Sequence, residues 1–260
     1  MQSEPGAEAQ RQPERPYRRV YAGPEQFRGD EVWLTPAESH HISRVLRLAV
    51  GDCLEVANGC GRVYTAQICH LSPTAARLRL LAELAASGES PLQITLGIAL
   101  VRSDTFDLII RQMTEMGVTS LIPFYASRSL VRPETWQPGK LDRWLRLAQG
   151  ALKSCERSFL PNISPPVAFP EILLGDEPLK IICWEDLRRQ EASGTFEVGL
   201  QPKKVRLLIG PEGGFTAGEV AAAQEAGFSS LGLGPRRLRV ETAAVVAVSL
   251  LQYLWGDVCG

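Results

Sequence analysis

Residues 207–215 read LLIGPEGGF, so an apolar, strand-like run leads directly into a loop with three glycines and a proline. A loop that follows a buried strand lies at the carboxyl edge of a sheet, where open α/β proteins bind their ligands. Glycine tolerates positive φ angles and lets a ligand approach the backbone closely. No Gly-Lys-Ser/Thr or GxGxxG pattern is present, which argues against a phosphate-binding P-loop or a dinucleotide turn. Taken singly, the motif is equally compatible with a plain tight turn.

A second segment, residues 231–243, reads LGLGPRRLRVETA and again joins a strand-like run to a helix. It follows the first segment after roughly two dozen residues, about one loop-helix-strand unit. We therefore expect the two loops to lie side by side at the sheet edge and to form one cleft. Leu233, Leu238 and Ala243 would provide an apolar bed for a flat ring such as adenine, and Thr242 is expected to cap the final helix.

Strand-like and helix-like stretches alternate from residue 92 onward. Ser103 is expected to cap the first helix and Gly117 to end it, and Thr216 with Glu219 forms a capping-box pattern. This alternation predicts an α/β fold with a parallel sheet covered on both faces. The predicted strands are 93–101, 120–125, 180–184, 205–209 and 230–233, and the predicted helices begin near 103, 141, 216 and 242.

The segment from residue 17 to residue 84 has a different pattern, with short β-leaning runs and turn signals between them. The runs cover 52–56, 62–69 and 76–81. Thr35 and Glu38 form a capping box for one helix over 40–48. Several short strands and one helix predict a small N-terminal β-barrel, an architecture common among RNA-binding domains.

The remaining boundaries follow from composition. Residues 85–91 read AASGESP and are predicted to be an interdomain linker, which leads into a second domain over residues 92–260. Residues 1–16 are polar and rich in Pro, Glu and Gln, and are predicted to form a disordered tail.

Charge and cysteine usage narrow the class of protein. The formal net charge is −1, so no overall basic field attracts nucleic acid and any RNA contact must be local. Arginine far outnumbers lysine, which suits contacts to phosphate and base edges, although GC-rich codon usage explains the excess equally well. The six cysteines show no CxxC pair or metal-ligand spacing, which predicts reduced thiols, no metal and a cytoplasmic location. No apolar run reaches transmembrane length, so no membrane association is expected.

The pair GPEGGF and LGPRRLRVETA resembles the signature of the SPOUT-type 16S ribosomal RNA (uracil-N3) methyltransferases. The similarity extends from about residue 18 to the C-terminus and includes HHISRVLR at 40–47 and MGV at 116–118. The resemblance implies a C-terminal trefoil knot around the cofactor S-adenosyl-L-methionine and an N-terminal, PUA-like RNA-binding barrel. It places the cofactor against Ile209, Gly210, Pro211, Glu212, Gly213, Leu233, Gly234, Leu238, Arg239 and Thr242.

Two stretches depart from the resembled pattern. The family usually has Glu-Gln in the central helix, shortly before an Arg, whereas this chain has Lys153 and Ser154 before Arg157. A Lys-rich loop usually follows the first strand of the second domain, whereas this chain has RSD at 102–104. Both stretches concern the RNA side of the site, so they bear on the target nucleotide more than on cofactor binding.

The reaction implied by the resemblance is attack by uracil N3 on a methyl group, for which the N3 proton must be removed or the resulting anion stabilised. The three histidines are at positions 40, 41 and 70, so the second domain has no histidine to act as a base. We therefore predict Arg239 as the stabilising cation and Glu241 as a nearby catalytic carboxylate. A solvated ion pair between Arg239 and Glu241 is the competing interpretation.

A small basic group in the N-terminal segment is the candidate RNA contact, because phosphate contacts position RNA without reading its sequence. Surface ion pairs with nearby acidic residues are the competing interpretation. The predicted RNA-binding residues are Arg18, Arg19, His41, Arg44, Arg47 and, from the resemblance, Arg157.

The final helix is apolar on nearly all sides, so it must be buried against more than one neighbour. Because the resembled family dimerises around its knot, we expect a homodimer that binds 16S ribosomal RNA of the small subunit. Three other functions stay open: a non-catalytic RNA-binding assembly factor with the same fold, a methyltransferase that acts on a different RNA nucleotide, and an enzyme of another type that uses the glycine loop to bind phosphate or a nucleotide.

Overall fold

The computed structural model describes residues 18–185 and 201–258, so the predicted tail at 1–16 lies outside the described residues. The N-terminal part forms a six-stranded sheet with the order β1-β4-β5-β6-β3-β2. Strand β1 pairs with β4 in parallel, and the other neighbours are antiparallel. The strands are β1 Arg19–Tyr21, β2 Phe27–Arg28, β3 Glu31–Leu34, β4 Cys53–Ala57, β5 Val63–Leu71 and β6 Ala76–Leu84.

One short helix, α1 (Pro36–His40), interrupts this sheet, and the Thr35 hydroxyl caps it by accepting a hydrogen bond from the Glu38 N–H at 3.3 Å. The helix continues as one π-helical turn over His41–Val45 and ends there, before the predicted end at residue 48. Ile42, on this turn, is fully buried in the apolar core of the N-terminal sheet. The capped helix therefore contributes Ile42 to the core, and the residues that follow, Arg44 and Val45, are exposed.

The second part of the chain forms the predicted parallel sheet, with the order β10-β8-β7-β12-β11-β13 and β9 also paired with β8. All of these pairs are parallel. The short strands β9 and β10 were not predicted. The strands are β7 Gln93–Ala99, β8 Ser120–Tyr125, β9 Asn162–Ile163, β10 Val167–Ala168, β11 Leu179–Cys183, β12 Lys204–Ile209 and β13 Ser229–Leu231.

Helices cover this sheet, and the largest apolar core lies where α2 packs against α3 and α6. The helices are α2 Ser103–Glu115, α3 Gly139–Ser154, α4 Phe169–Ile172, α5 Ala217–Glu225 and α6 Val240–Trp255. None of the helices within 18–185 and 201–258 is long and apolar enough to cross a bilayer.

Two predicted helix caps are wrong. Helix α2 has Arg102 at its N-cap, so Ser103 is already helical and its side chain caps nothing. Helix α6 begins two residues before Thr242: Arg239 is the N-cap, and its carbonyl accepts the first intrahelical bond from the Ala243 N–H at 2.8 Å. Thr242 therefore lies inside the first turn, where its hydroxyl cannot satisfy the free N–H groups at the helix end.

The strand order determines where a ligand can bind. Strand β12 lies between β7 and β11, and β13 lies on the outer side of β11. Because all of these strands are parallel, the loops that follow β11, β12 and β13 leave the sheet at one common edge. The two glycine loops are therefore next to each other, separated only by the end of β11.

Candidate functional site

One cleft lies at this edge and encloses about 510 Å³ of open space. Both glycine loops line it, as predicted from their spacing. Predicted cofactor residues in its wall are Ile209, Gly210, Pro211, Leu233, Gly234 and Leu238, together with Ala243 of the predicted apolar bed.

Glycine is required at particular points of these loops. Gly214 and Gly234 have φ angles of 68° and 90°, a region in which a side chain is strained. At Gly210, a Cβ atom would lie 3.0 Å from the ring of Phe215, so the turn could close less tightly. The first loop is closed by a hydrogen bond from the Gly214 N–H to the Pro211 carbonyl at 2.8 Å.

The first loop is held from outside by a neighbouring segment. The Arg128 guanidinium donates to the Gly213 carbonyl at 3.1 Å and to the Phe215 carbonyl at 3.4 Å. At the start of α5, the Thr216 and Glu219 side chains form the predicted capping box, and Glu219 also accepts from the Ser127 N–H at 2.8 Å. These contacts fix the loop before any ligand binds.

Glu219, which holds the start of α5 against the segment at Ser127, is ionised. Burial would raise its pKa, but hydrogen bonds from the Ser127 and Thr216 N–H groups and from the Thr216 hydroxyl favour the charged form. The net result is a pKa below the usual value for a glutamate. The carboxylate therefore keeps its charge at neutral pH and holds the two segments together.

Sequence reasoning missed the third wall of the cleft. Cys183 is the last residue of β11, Trp184 and Glu185 follow it, and all three line the cleft between the two loops. Burial raises the pKa of Cys183 to about 12, so its thiol stays protonated and acts as an apolar surface rather than a nucleophile. The available signal was positional, because a predicted strand at 180–184 must end at the same edge as its parallel neighbours. Gly214, Arg236 and Val240 also line the cleft without having been predicted.

Four of the predicted cofactor residues do not line the cleft: Glu212, Gly213, Arg239 and Thr242. Glu212 and Gly213 lie at the exposed tip of the first loop. Arg239 is exposed at the start of α6, and the half-buried Glu241 is in its first turn. In the part of the chain that the structure describes, no ion pair joins Arg239 to Glu241, so the competing interpretation of this pair receives no support.

Two predicted RNA contacts are wrong because their side chains are buried. Arg19 pairs with the buried Glu55 at 2.6 Å and donates to the Arg157 carbonyl at 3.2 Å. Arg157 is 1% exposed; it pairs with Glu89 at 2.8 Å and donates to the carbonyls of Thr114 and Val118. Both guanidiniums are used for internal pairing, and the bond from Arg19 joins the N-terminal sheet to the second part of the chain.

The other predicted RNA contacts are accessible. Arg44 and Arg47 are exposed at the end of the π-helical turn, and Arg18 and His41 are half-buried. Burial and the nearby Lys153 ammonium lower the pKa of His41, so its imidazole is neutral at pH 7. Arg44 and Arg47 are therefore the charged members of this group that are free to meet phosphate.

Lys153, one of the departures from the resembled pattern, also has a structural role. Its ammonium pairs with Glu38 of α1 at 2.6 Å, and both side chains are only about 15% exposed. The pair joins the end of α3 to the N-terminal sheet. Lys153 thus contributes a contact between the two parts of the chain, and it does not line the cleft.

Among residues 18–185 and 201–258, no group of three or more His, Cys, Asp or Glu side chains could hold a metal ion. The chemistry that this region itself offers comes from an apolar cleft, loop N–H and carbonyl groups, and arginine side chains at the cleft and beside it.

Comparison with known proteins gives the family. The family model described as an RNA methyltransferase domain matches residues 88–252, and the model described as an RNA methyltransferase PUA domain matches residues 34–81. The ribosomal RNA small subunit methyltransferase E of Synechocystis is 36% identical over 91% of this chain and 77% of the relative.

Two solved structures are similar over nearly the whole chain. A methyltransferase of Legionella pneumophila in complex with S-adenosylmethionine has a TM-score of 0.84 and 32% identity, covering 94% of this chain and 100% of that one. The ribosomal RNA small subunit methyltransferase E of Neisseria gonorrhoeae, bound to S-adenosylmethionine, has a TM-score of 0.83 and 30% identity, with coverages of 94% and 100%. The chain therefore belongs to the ribosomal RNA small subunit methyltransferase E family.

Proposed function

We propose that this protein transfers a methyl group from S-adenosyl-L-methionine to N3 of a uridine in the 16S ribosomal RNA of the small subunit, in the cytoplasm. The observation that carries the proposal is the cleft, which two glycine loops and the end of β11 build at the carboxyl edge of the parallel sheet. Family membership and the cofactor in similar structures support the same assignment.

The residues present fit this cofactor. Leu233, Leu238 and Ala243 supply an apolar surface for adenine, and the loop backbones offer N–H and carbonyl groups to its polar edge. Glu185 adds a carboxylate to the same wall, which suits the hydroxyl or amino groups of a nucleoside amino acid. We infer that Glu212, Gly213, Arg239 and Thr242 contribute from the rim.

When bound, S-adenosyl-L-methionine supplies a methyl group on a positively charged sulfonium. The protein's task is to position uracil N3 in line with that methyl group and to exclude water, because charge is lost in the transition state and a dry, apolar wall suits such a change. The rigid first loop, held by Arg128 and Glu219, provides a fixed surface for this alignment.

Uracil N3–H is a weak acid, so the enzyme must favour the deprotonated base. Arg239 stabilises the negative charge on the uracil oxygens, and its position at the N-cap of α6 adds the partial positive charge of the helix end. Glu241, in the first turn of the same helix, receives the proton that leaves N3. A positioned cation of this kind contributes on the order of 100-fold to the rate.

The N-terminal PUA domain binds the RNA. Arg44 and Arg47 contact phosphate, and Arg18 and the neutral His41 contribute polar contacts beside them. We assign 17–84 to this domain, 85–91 to the linker and 92–260 to the methyltransferase domain. The observed ends of β6 and β7 at residues 84 and 93 support this division.

We further propose that the C-terminal segment is threaded into a trefoil knot. The order β7-β12-β11-β13, in which β12 inserts between earlier strands and β13 then lies outside β11, supports such threading. Mechanical stretching from the two termini should give a fully unfolded length shorter than the contour length of 260 residues. An extension equal to the full contour length would rule out the knot.

The proposed function is tested with small subunits isolated from a strain that lacks the gene. Purified protein and methyl-labelled S-adenosylmethionine should add label to 16S RNA, and mass mapping should locate N3-methyluridine. Calorimetry should show cofactor binding without RNA. Cofactor binding with no transfer to any ribosomal RNA would overturn the enzyme in favour of an assembly factor, and label on another base would overturn the uridine assignment.

A further inference from the structure

A second cleft opens at the same sheet edge, beside the carboxyl ends of β7 and β8. We propose that this cleft, here called the tryptophan cleft, binds an unstacked nucleobase of the substrate RNA through an N–H group donated to Asp107. The proposal rests on the proposed function, because it assigns a second contact for the same substrate.

The open space in and at the mouth of the tryptophan cleft is about 430 Å³. Strand β7 is the immediate neighbour of β12, whose loop forms the cofactor cleft. Since the strands are parallel, both clefts face the same side of the molecule. Residues that line the tryptophan cleft include Val101, Phe106, Asp107, Tyr125, Trp136, Lys140, Arg143 and Trp144.

Its walls are aromatic. Phe106 and Trp144 have ring centroids 4.5 Å apart, and Trp136 lies 5.2 Å from Trp144. Trp136 is half-buried, so part of its ring is exposed to an occupant. Aromatic side chains of this type stack on unpaired RNA bases, each stack contributing about 1–3 kcal/mol. The walls therefore favour a flat aromatic ring over an aliphatic ligand.

Asp107 gives the cleft its specificity. Its side chain is 7% exposed, and its Oδ2 atom accepts from the Arg143 guanidinium, with the Nε atom at 2.9 Å. Its Oδ1 atom is buried and has no hydrogen-bond partner within the described residues. A buried carboxylate oxygen without a partner is costly, so a ligand that donates an N–H to it gains binding energy. Uracil N3 and the amino groups of the other bases are such donors.

Two of the residues that line this cleft, Lys140 and Arg143, carry a positive charge. The Arg143 side chain is 58% exposed beyond its contact with Asp107, and Lys140 lies one helical turn earlier. They suit the phosphate that accompanies a base. An aromatic wall, a buried acceptor and a basic rim together match one nucleotide unit of a single-stranded RNA.

The deciding variant is Asp107→Asn. Because Arg143 requires an acceptor, the amide oxygen of the new side chain would stay on Arg143, and its NH₂ group would replace Oδ1 with a donor. We expect the KM for small subunits to rise about ten-fold, as for loss of a hydrogen bond to a charged group, with unchanged affinity for S-adenosylmethionine. Glu115→Gln, at the exposed last residue of the same helix, is the control and should leave KM within about two-fold.

Cross-linking gives a second readout that needs no variant. Small subunits that carry 4-thiouridine, irradiated with the wild-type enzyme, should form adducts on residues 125–144, at Tyr125 or Trp136. A KM for Asp107→Asn equal to that of Glu115→Gln, together with no adduct in this range, would overturn the proposal. The proposal would also be overturned if Asp107→Asn weakened the binding of free mononucleotides but left the KM for small subunits unchanged. That result would identify the cleft as a site for free nucleotides. Failure of the wild type to methylate any RNA would instead count against the proposed function.

Discussion

Arg239 is the residue on which the proposed chemistry most depends. It is exposed at the N-cap of α6, beside the cofactor cleft but outside its wall. Replacement by alanine should therefore lower kcat for methyl transfer about 100-fold and change the affinity for S-adenosylmethionine less than about three-fold. Single-turnover methylation and calorimetry measure the two quantities separately.

Arg237→Ala is the control for this experiment, since Arg237 is exposed in the same loop and is absent from the cleft wall. It should retain kcat within about two-fold. If Arg239→Ala weakened cofactor binding as much as transfer, Arg239 would be a cofactor ligand, and its role in stabilising the uracil anion would be abandoned.

Glu219 links loop stability to pH. Because its pKa is lowered in the folded state, it stabilises the fold above the unfolded carboxyl pKa of about 4.3, and that stabilisation is lost as pH falls through the lower folded value. Glu219→Gln should therefore lower the free energy of unfolding at pH 7 by about 1–3 kcal/mol. The difference from wild type should shrink between pH 5 and pH 3, as measured by urea unfolding.

The exposed Glu225, at the end of the same helix, supplies the comparison, and Glu225→Gln should track the wild type at every pH. A deficit of Glu219→Gln that stayed constant down to pH 3 would show that the loss is steric rather than electrostatic.

At the residue scale, local patterns were predictable and distant partners were not. The Thr216–Glu219 box depends on residues three positions apart, and the structure contains it as predicted. Arg157 was misassigned because its partner Glu89 is 68 residues away, and no sequence spacing reveals that pair. Thr242 was misassigned because its hydroxyl suits a cap, whereas the helix begins earlier, at a residue whose side chain forms no cap hydrogen bond.

At the element scale, the contact between α3 and α1 gives a test of how the two domains are joined. The Lys153–Glu38 pair is shielded from solvent, so its coupling should exceed that of a surface pair. A double-mutant cycle with Lys153→Ala and Glu38→Ala, followed by urea unfolding, should give a coupling of about 1 kcal/mol. The double variant Lys153→Glu with Glu38→Lys exchanges the two charges. It should recover part of the free energy of unfolding that either single substitution loses.

The Arg62–Glu83 pair is the matched comparison, with a distance of 3.8 Å and side chains 65% and 53% exposed. Its cycle should show no measurable coupling. Equal coupling for both pairs would mean that the Lys153–Glu38 contact contributes no more than a surface pair. The contact between the domains would then depend on its other parts, which include the Arg19 hydrogen bond to the Arg157 carbonyl and the backbone hydrogen bonds of Gly61 and Leu160.

The strands of the parallel sheet were predictable because each is a mainly apolar run next to a helical pattern. Strands β9 and β10 have two residues each, too few for any periodicity. The order of the strands was not predictable from local pattern. The placement of β12 between β7 and β11 depends on long-range pairing, and it is this placement that brings the end of β11 into the cofactor cleft.

At the scale of the whole molecule, we propose that a second copy of the chain binds along the last helix. One face of α6 is buried in the core through Ala244, Ala247, Val248 and Leu251. The other face leaves Leu250, Tyr253 and Leu254 at least 40% exposed, at positions three and four residues apart. Such spacing places them in one stripe, and an exposed apolar stripe of this kind is typical of a subunit interface.

The proposed homodimer should therefore have twice the chain mass of 28.5 kDa by light scattering at micromolar concentration. Leu254→Glu places a charge in the stripe, and desolvation of that charge should shift the equilibrium to monomer without lowering the helix content. Leu174→Glu is the control, because Leu174 is 72% exposed and lies outside α6. A wild-type monomer, or loss of the dimer in both variants, would remove α6 as the interface and leave its exposed stripe without a partner.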